Sequence, residues 1–103
     1  VIMARKQLQN LTEPMYYVLL CLKDPLHGYG IMQKIDEITG GRVKVGPGTL
    51  YNLIDRFEKE KIVQRVESVG KKKTYQLTNK GLELLKEEIK RLKMLISDGE
   101  KIL

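Results

Sequence analysis

The stretch that decides the fold is VGPGTLYNLIDRFEKEKIV, from Val45 to Val63. Its apolar residues recur at the spacing i, i+3, i+4, i+7, which predicts one buried side of an α-helix: they are Leu50, Leu53, Ile54 and Phe57. Pro47 suits the first position of that helix, because a helix start leaves this N–H unpaired in any case. The other side begins with small or planar polar groups instead of an ordinary charged solvent face. This pattern indicates contact with a ligand.

Two further helices are predicted before this stretch. The first has Thr12 as its predicted N-cap and is apolar on both sides, so it needs partners in two directions. In a chain of 103 residues, we expect the second partner to be another copy of the chain. A turn, KDPLHGYG (23–30), leads to the second helix, which Gly40 and Gly41 end. The alternating residues 42–45, RVKV, predict a very short strand.

After this stretch, the spacing of the apolar residues changes from one typical of a helix to one typical of strands. Residues 62–78 favour strands around Gly70 and predict a β-hairpin with lysines at its tip. Thr78 is the predicted N-cap of a last helix, in which apolar residues are spaced three and four apart in turn, the seam of a coiled-coil-like contact. Glu87 and Glu88 on this helix are predicted to be solvent charges.

These elements predict a mainly α fold with a small β component (α+β): a winged helix-turn-helix with a long C-terminal dimerisation helix. The predicted divisions are an N-terminal arm (1–10), the winged helix-turn-helix domain (11–77), and the dimerisation helix and tail (78–103). The predicted interface between two copies lies on the first and last helices and comprises Met15, Leu19, Leu82, Leu85, Ile89, Leu92 and Ile96.

The net charge of +6 is unevenly distributed. Residues 1–41 are neutral, and residues 76–103 carry six Lys/Arg against five Asp/Glu. Residues 42–75 carry nine Lys/Arg against four Asp/Glu, so this block holds almost the whole excess. A positive charge concentrated in one block indicates a polyanion as the partner.

An enzyme is not expected. The chain has one histidine and one cysteine, which excludes zinc-finger ligation, and we expect no cofactor and no metal. Cys21 and His27 form a nucleophile–base pair only formally, because one lies in an apolar helix and the other in a Pro/Gly turn. A lone cysteine, no secretory signal and no membrane-length apolar run predict a cytoplasmic protein that does not enter a membrane.

The expected partner is double-stranded DNA. A helix in the major groove presents its N-terminal side chains to base edges and its N–H groups to phosphates. Gly48 permits close approach, while Thr49 and Asn52 carry groups that can contact bases. The lysines of the hairpin tip suit a phosphate backbone or a minor groove. The predicted DNA-binding residues are Tyr29, Lys44, Gly48, Thr49, Tyr51, Asn52, Arg56, Lys59, Lys71, Lys72 and Lys73.

Three segments together resemble the PadR family of bacterial transcriptional regulators: PLHGYGI, GTLYNLIDRFEKEKIV and GKKKTYQLTNKGLELL. The resemblance covers about residues 11–97. Three positions depart from the family pattern: Asn52 stands where proline is common, Lys61 where glycine is usual, and Gly30 where an acidic residue is more usual. The resemblance implies a dimeric winged-helix protein, usually a repressor, that dimerises through its first and last helices.

The short C-terminal part is similar to a compact branch of the family, some members of which hold flat aromatic ligands at the dimer interface. The resemblance therefore implies a small aromatic effector, with Tyr16 and Leu92 as candidate pocket residues. We predict a homodimeric repressor at a palindromic operator. The alternative function is a winged-helix module that binds proteins and not DNA. For the single residues, the alternative is that Thr49 only caps its helix, Tyr51 only packs on the sheet, and Arg56 and Lys59 are solvated.

Overall fold

In a computed structural model, the described residues are 10–67, 70 and 72–103. Residues 1–9 of the predicted arm and Lys71 of the predicted DNA-binding set lie outside them. The helices are α1 (Glu13–Cys21), α2 (Gly28–Thr39), α3 (Pro47–Lys59) and α4 (Asn79–Ile102). The strands are β1 (Leu26–His27), β2 (Val63–Val66) and β3 (Thr74–Leu77).

Local signals placed the helix starts correctly. The Thr12 side chain accepts a hydrogen bond from the N–H of Met15, and Thr78 accepts one from the N–H of Gly81. Helix α3 begins at Pro47, and α2 ends at Gly40, which has a left-handed backbone with φ of 59°. The predicted caps are confirmed because each depends on neighbours within the same turn.

The predicted hairpin is confirmed, whereas the predicted strand at residues 42–45 is absent. The N–H of Val43 instead donates to the Thr39 hydroxyl at 3.1 Å, so the backbone of this segment is hydrogen-bonded to the last residue of α2 and not to a strand. The third strand is β1, which pairs antiparallel with β3 and gives the sheet order β1-β3-β2. Two residues are too few to show a strand period, and β1 therefore has no sequence signal.

One apolar core joins the helices and the sheet. Helix α3 contributes Leu50, Ile54 and Phe57, each at most 2% exposed, with Leu53 packed against them. The predicted stripe of α3 is thus the buried side of that helix. Within the described residues, no helix is both long and apolar enough to span a membrane.

The end of α3 is bonded directly to the start of α4. The Thr78 hydroxyl donates to the carbonyl of Lys61 at 2.7 Å, and the Thr78 N–H donates to the carbonyl of Ile62 at 3.0 Å. Lys80 on α4 donates through Nζ to the carbonyl of Glu60. The orientation of α3 is therefore tied to that of α4.

Candidate nucleic-acid interface

Helix α3 presents a polar side away from the core. Because successive residues turn by about 100°, the residues opposite the buried stripe are Gly48, Asn52, Asp55 and Lys59, and all four are exposed. A Cβ built at Gly46 or Gly48 would meet no atom of the described residues within 4 Å, so the helix start is open to an approaching ligand on the part of the chain that the structure describes.

Thr49 lies at the edge of this polar side and is exposed. The N-cap of α3 is Gly46, which makes no side-chain cap bond, so Thr49 is in the first turn and not at the cap position. Its hydroxyl and methyl groups are therefore both presented to solvent beside Asn52.

Tyr51 lies to one side of the polar stripe and reaches helix α2. A Cβ added to Gly28 would fall 2.1 Å from the Tyr51 hydroxyl oxygen, so the absence of a side chain at Gly28 makes room for this hydroxyl. The residue remains 48% exposed. Tyr51 thus both packs against the start of α2 and offers surface to a ligand.

A cleft beside α3 brings together residues that are far apart in the sequence. Tyr29 from α2, Tyr51 from α3, and Lys72 and Lys73 from the hairpin all line it. Tyr29 is 62% exposed, and its hydroxyl accepts a hydrogen bond from Gln33 at 3.4 Å. Two phenol groups and two ammonium groups around one cleft can donate hydrogen bonds to a phosphate.

The floor of this cleft was not predicted as part of the site. Tyr75, only 4% exposed, lines the cleft, and its burial raises the pKa of its phenol. The guanidinium of Arg65 lies 5.9 Å from the Tyr75 ring centroid. His27 and Gly28 also line the cleft. Their contribution could not be foreseen because it depends on β1, which brings the start of α2 beside β3.

Three predicted DNA-binding cations form ion pairs with acids of the same region. Lys44 Nζ lies 2.7 Å from a carboxylate oxygen of Asp36, and Lys59 Nζ lies 3.1 Å from one of Asp55. Arg56 pairs with a carboxylate four residues later, at 3.3 Å. The pairs of Lys44 and Lys59 are exposed, and such pairs contribute at most about 1 kcal/mol, so these two cations can turn to a phosphate at little cost.

The predicted dimer residues divide into two groups. Leu19 and Leu85, at 0% and 4% exposed, belong to the core of the chain itself, as does Met15 at 8%. Since α1 packs against α4, these three side chains have little surface left in the single chain, and their contact with a second copy remains a prediction. Leu82, Ile89 and Leu92 remain half-buried, and Ile96 is 60% exposed.

Glu88 was wrongly predicted to be a solvent charge. It is 1% exposed and forms two hydrogen bonds with Arg91, at 2.9 and 2.6 Å. Its carboxylate also accepts from the N–H of Leu11 at 3.4 Å. The hydrogen bonds between Arg91 and Glu88 raise the pKa of the Arg91 guanidinium. Glu88 thus connects α4 with the segment that leads into α1.

The candidate effector residues lie on the same two packed helices. Tyr16 on α1 and Leu92 on α4 are each half-buried. Burial raises the pKa of the Tyr16 phenol, with smaller contributions from Tyr17 and Glu88, and the Tyr16 and Tyr17 rings meet edge to face at 5.4 Å. Cys21 is fully buried and its pKa is raised by burial, so it is not placed to act as a nucleophile.

Comparison with known proteins agrees with this architecture. The profile of the transcriptional regulator PadR-like family matches residues 18–87. The chain belongs to the PadR-like family. A PadR-like transcription factor from Bacteroides fragilis is 34% identical in sequence, with a TM-score of 0.72 over 87% of this chain and 89% of that one. The PadR-like chain accordingly has the winged-helix fold of a family of transcriptional regulators.

Two curated relatives are much longer than this chain. A 37.1 kDa protein of a Streptomyces fradiae transposon is 42% identical over 72 residues, which are 69% of this chain and 20% of that protein. The Escherichia coli transcriptional regulator YqjI is 29% identical over 73 residues, 71% of this chain and 35% of that protein. This PadR-like chain therefore spans only a fifth to a third of the length of these two relatives.

Proposed function

We propose that this PadR-like chain is a homodimeric, sequence-specific DNA-binding repressor that acts at a palindromic operator in the cytoplasm. The observation that carries the proposal is the cleft in which Tyr29, Tyr51, Lys72 and Lys73 converge beside the polar side of α3. In this arrangement α3 enters the major groove, and the cleft binds the phosphate backbone that borders it.

The polar side of α3 divides into two kinds of contact. Gly48, Thr49 and Asn52 face base edges, because they occupy the first two turns and are exposed. Lys44 and Lys59 suit phosphates on either side of the groove, where their present ion pairs can be exchanged. The basic block of residues 42–75 supplies the attraction that is independent of sequence.

The exposed end of α4 supports the dimer. Leu92 and Ile96 continue the seam begun by Leu82 and Ile89, and beyond Ile89 each of these residues keeps exposed surface. A two-fold axis through such a seam places two α3 helices on one face of DNA, which suits a palindrome. Repression, in preference to activation, and a small aromatic effector near Tyr16 and Leu92 remain predictions from the family resemblance.

The test is the salt dependence of DNA binding by the full chain, with a duplex selected from a random library at low salt. Each neutralised phosphate contributes about −0.9 to the slope of log K against log salt. Because the proposed dimer carries Lys72 and Lys73 on both copies, Lys72→Ala/Lys73→Ala is expected to reduce the magnitude of the slope by roughly 4. The matched control is Lys90→Ala/Lys101→Ala, which removes two exposed lysines from α4, away from the seam.

An unchanged slope in the hairpin variant would remove the cleft from the interface. If the control variant lost as much slope as the hairpin variant, the effect would come from net charge alone. If the chain bound no duplex even at low salt, the alternative function, a winged-helix module for protein partners, would be favoured instead.

A further inference from the structure

Asp55 is the acid on the side of α3 that faces DNA in the proposed function. Its side chain is 65% exposed and lies on the polar stripe between Asn52 and Lys59. The other acids of this helix, Glu58 and the adjoining Glu60, are half-buried. A carboxylate in this place repels phosphates, so it opposes the general attraction that the surrounding cations provide.

The position of Asp55 along the helix matches a known way of reading DNA. In homeodomain recognition helices, the residues that contact bases are spaced i, i+3, i+4, i+7. Gly48, Tyr51, Asn52 and Asp55 have this spacing, and all four are exposed. Asp55 is three residues beyond Asn52, a rise of about 4.5 Å, which is nearer to one base-pair step of about 3.4 Å than to two.

Lys59 lies beside this carboxylate, and its ammonium group has three donors, so it can keep one hydrogen bond to Asp55 while another reaches a phosphate. Its Nζ lies 3.1 Å from a carboxylate oxygen of Asp55, one turn away on the same stripe. The pair is neutral as a unit, which lowers the repulsion that Asp55 exerts on DNA. The second carboxylate oxygen and the remaining lone pairs can still accept a hydrogen bond from a base.

The chemistry of a carboxylate selects one base edge. An ionised aspartate only accepts hydrogen bonds, and in the major groove cytosine presents an N4 amino group as its donor. Guanine and thymine present acceptors there, and adenine presents an acceptor beside its amino group. We propose that Asp55 is a specificity-determining residue that accepts a hydrogen bond from the N4 amino group of a cytosine, one base pair from the pair contacted by Asn52. The inference rests on the proposed function.

The experiment compares selection from a random duplex library by the full wild-type chain, Asp55→Ala and Asp55→Asn. For wild type, we expect a C·G pair to be enriched at one position of each half-site. Asp55→Ala should reduce that preference roughly tenfold to a hundredfold at this position alone, and should bind random duplex DNA a few-fold more tightly. Asp55→Asn should shift the preference toward adenine, which an amide contacts through N6 and N7.

Glu83→Ala is the matched control. Glu83 is an exposed acid of α4 that pairs with Lys86 at 3.8 Å, so the variant removes the same charge from a similar ion pair. It should leave the preference at every base pair unchanged. Asp55→Ala and Glu83→Ala each replace an exposed helical acid by alanine, which has a higher helix propensity, so neither variant is expected to unfold its helix.

The outcomes separate this inference from the proposed function. If wild type selects a site and Asp55→Ala selects it with the same preference at every position, the role of Asp55 is overturned and DNA recognition stands. A uniform loss of preference over many positions also overturns it, since that result indicates a structural role. If wild type enriches no sequence at all, both the inference and sequence-specific binding fail.

Discussion

Among individual residues, Lys61 has the most unusual backbone. Its φ is 62°, and it is the only non-glycine residue with positive φ among those that the structure describes. The left-handed region costs an L-residue roughly 1–2 kcal/mol. The turn is kept because its neighbours need it: the N–H of Ile62 bonds to Phe57 at 2.9 Å, and the carbonyl of Lys61 accepts from Thr78. Glycine, usual here in the PadR family, would adopt this turn without strain.

We therefore expect Lys61→Gly to stabilise the protein. Relief of the left-handed strain is offset by about 0.4–1 kcal/mol of added freedom in the unfolded chain, which leaves a gain of roughly 0.5–1 kcal/mol. Urea denaturation at fixed protein concentration measures the free energy of unfolding. Lys61→Ala removes the same charge but keeps the strain, so it should give no such gain. Equal stabilisation by both variants would assign the effect to charge and not to φ.

Residue-level prediction succeeded where the cause is local. Thr12, Pro47 and Thr78 were assigned correctly because a cap or a first turn depends on three or four neighbouring residues. Glu88 was assigned wrongly, since its burial depends on Leu11, which is 77 residues away in the chain. Nothing in the pattern around an acid on a helix reveals such a distant partner.

At the scale of elements, the contact between α3 and α4 depends on Gly81. A Cβ built on Gly81 would lie 2.2 Å from the carbonyl oxygen of Ile62, which is backbone and cannot move independently. The same carbonyl accepts from the Thr78 N–H at 3.0 Å. The absence of a side chain at Gly81 therefore lets the first turn of α4 pack directly against Ile62, which lies between α3 and β2.

Gly81→Ala should therefore destabilise the fold and turn α4 away from α3. Overpacking of this kind costs typically 1–3 kcal/mol, which urea denaturation would detect. Gly99→Ala is the control on the same helix, because a Cβ there meets none of the described residues within 4 Å, and it should stabilise by up to about 1 kcal/mol. A Gly81→Ala variant as stable as wild type would show that the backbone at Ile62 can move to accept a Cβ at little cost, and would contradict this prediction.

Elements were predicted well where they have a clear period and poorly where they are short. The four helices follow from stripes of apolar residues, and the hairpin follows from β-formers around Gly70. The two residues of β1 carry no period, and residues 42–45 alternate although they form no strand. The cleft needs β1 to place Tyr29 beside Lys72 and Lys73, so the predicted DNA-binding residues could be named but not brought together.

At the scale of the whole molecule, α4 extends far beyond the core. Its 24 residues span about 36 Å, but its last buried residue is Glu88, and residues 93–103 are all exposed. The longest dimension of the molecule is 52 Å. A heptad stripe predicts contact but not which partner provides it: Leu85, which is predicted to contact a second copy, is 4% exposed and packs within its own chain. The remaining exposed stripe carries the dimer proposal.

Ile96 and Met94 offer a matched test of that proposal. They are 60% and 58% exposed, they lie two residues apart on α4, and only Ile96 is on the seam. Because α4 turns 200° between them, Met94 faces almost the opposite way.

In a two-fold dimer, Ile96→Glu buries two unpaired carboxylates, which should weaken dimerisation at least about a hundredfold. Met94→Glu adds the same charge in solvent and should leave the dimer intact. Sedimentation velocity at micromolar concentration distinguishes monomer from dimer, and dimers in both variants would exclude the seam.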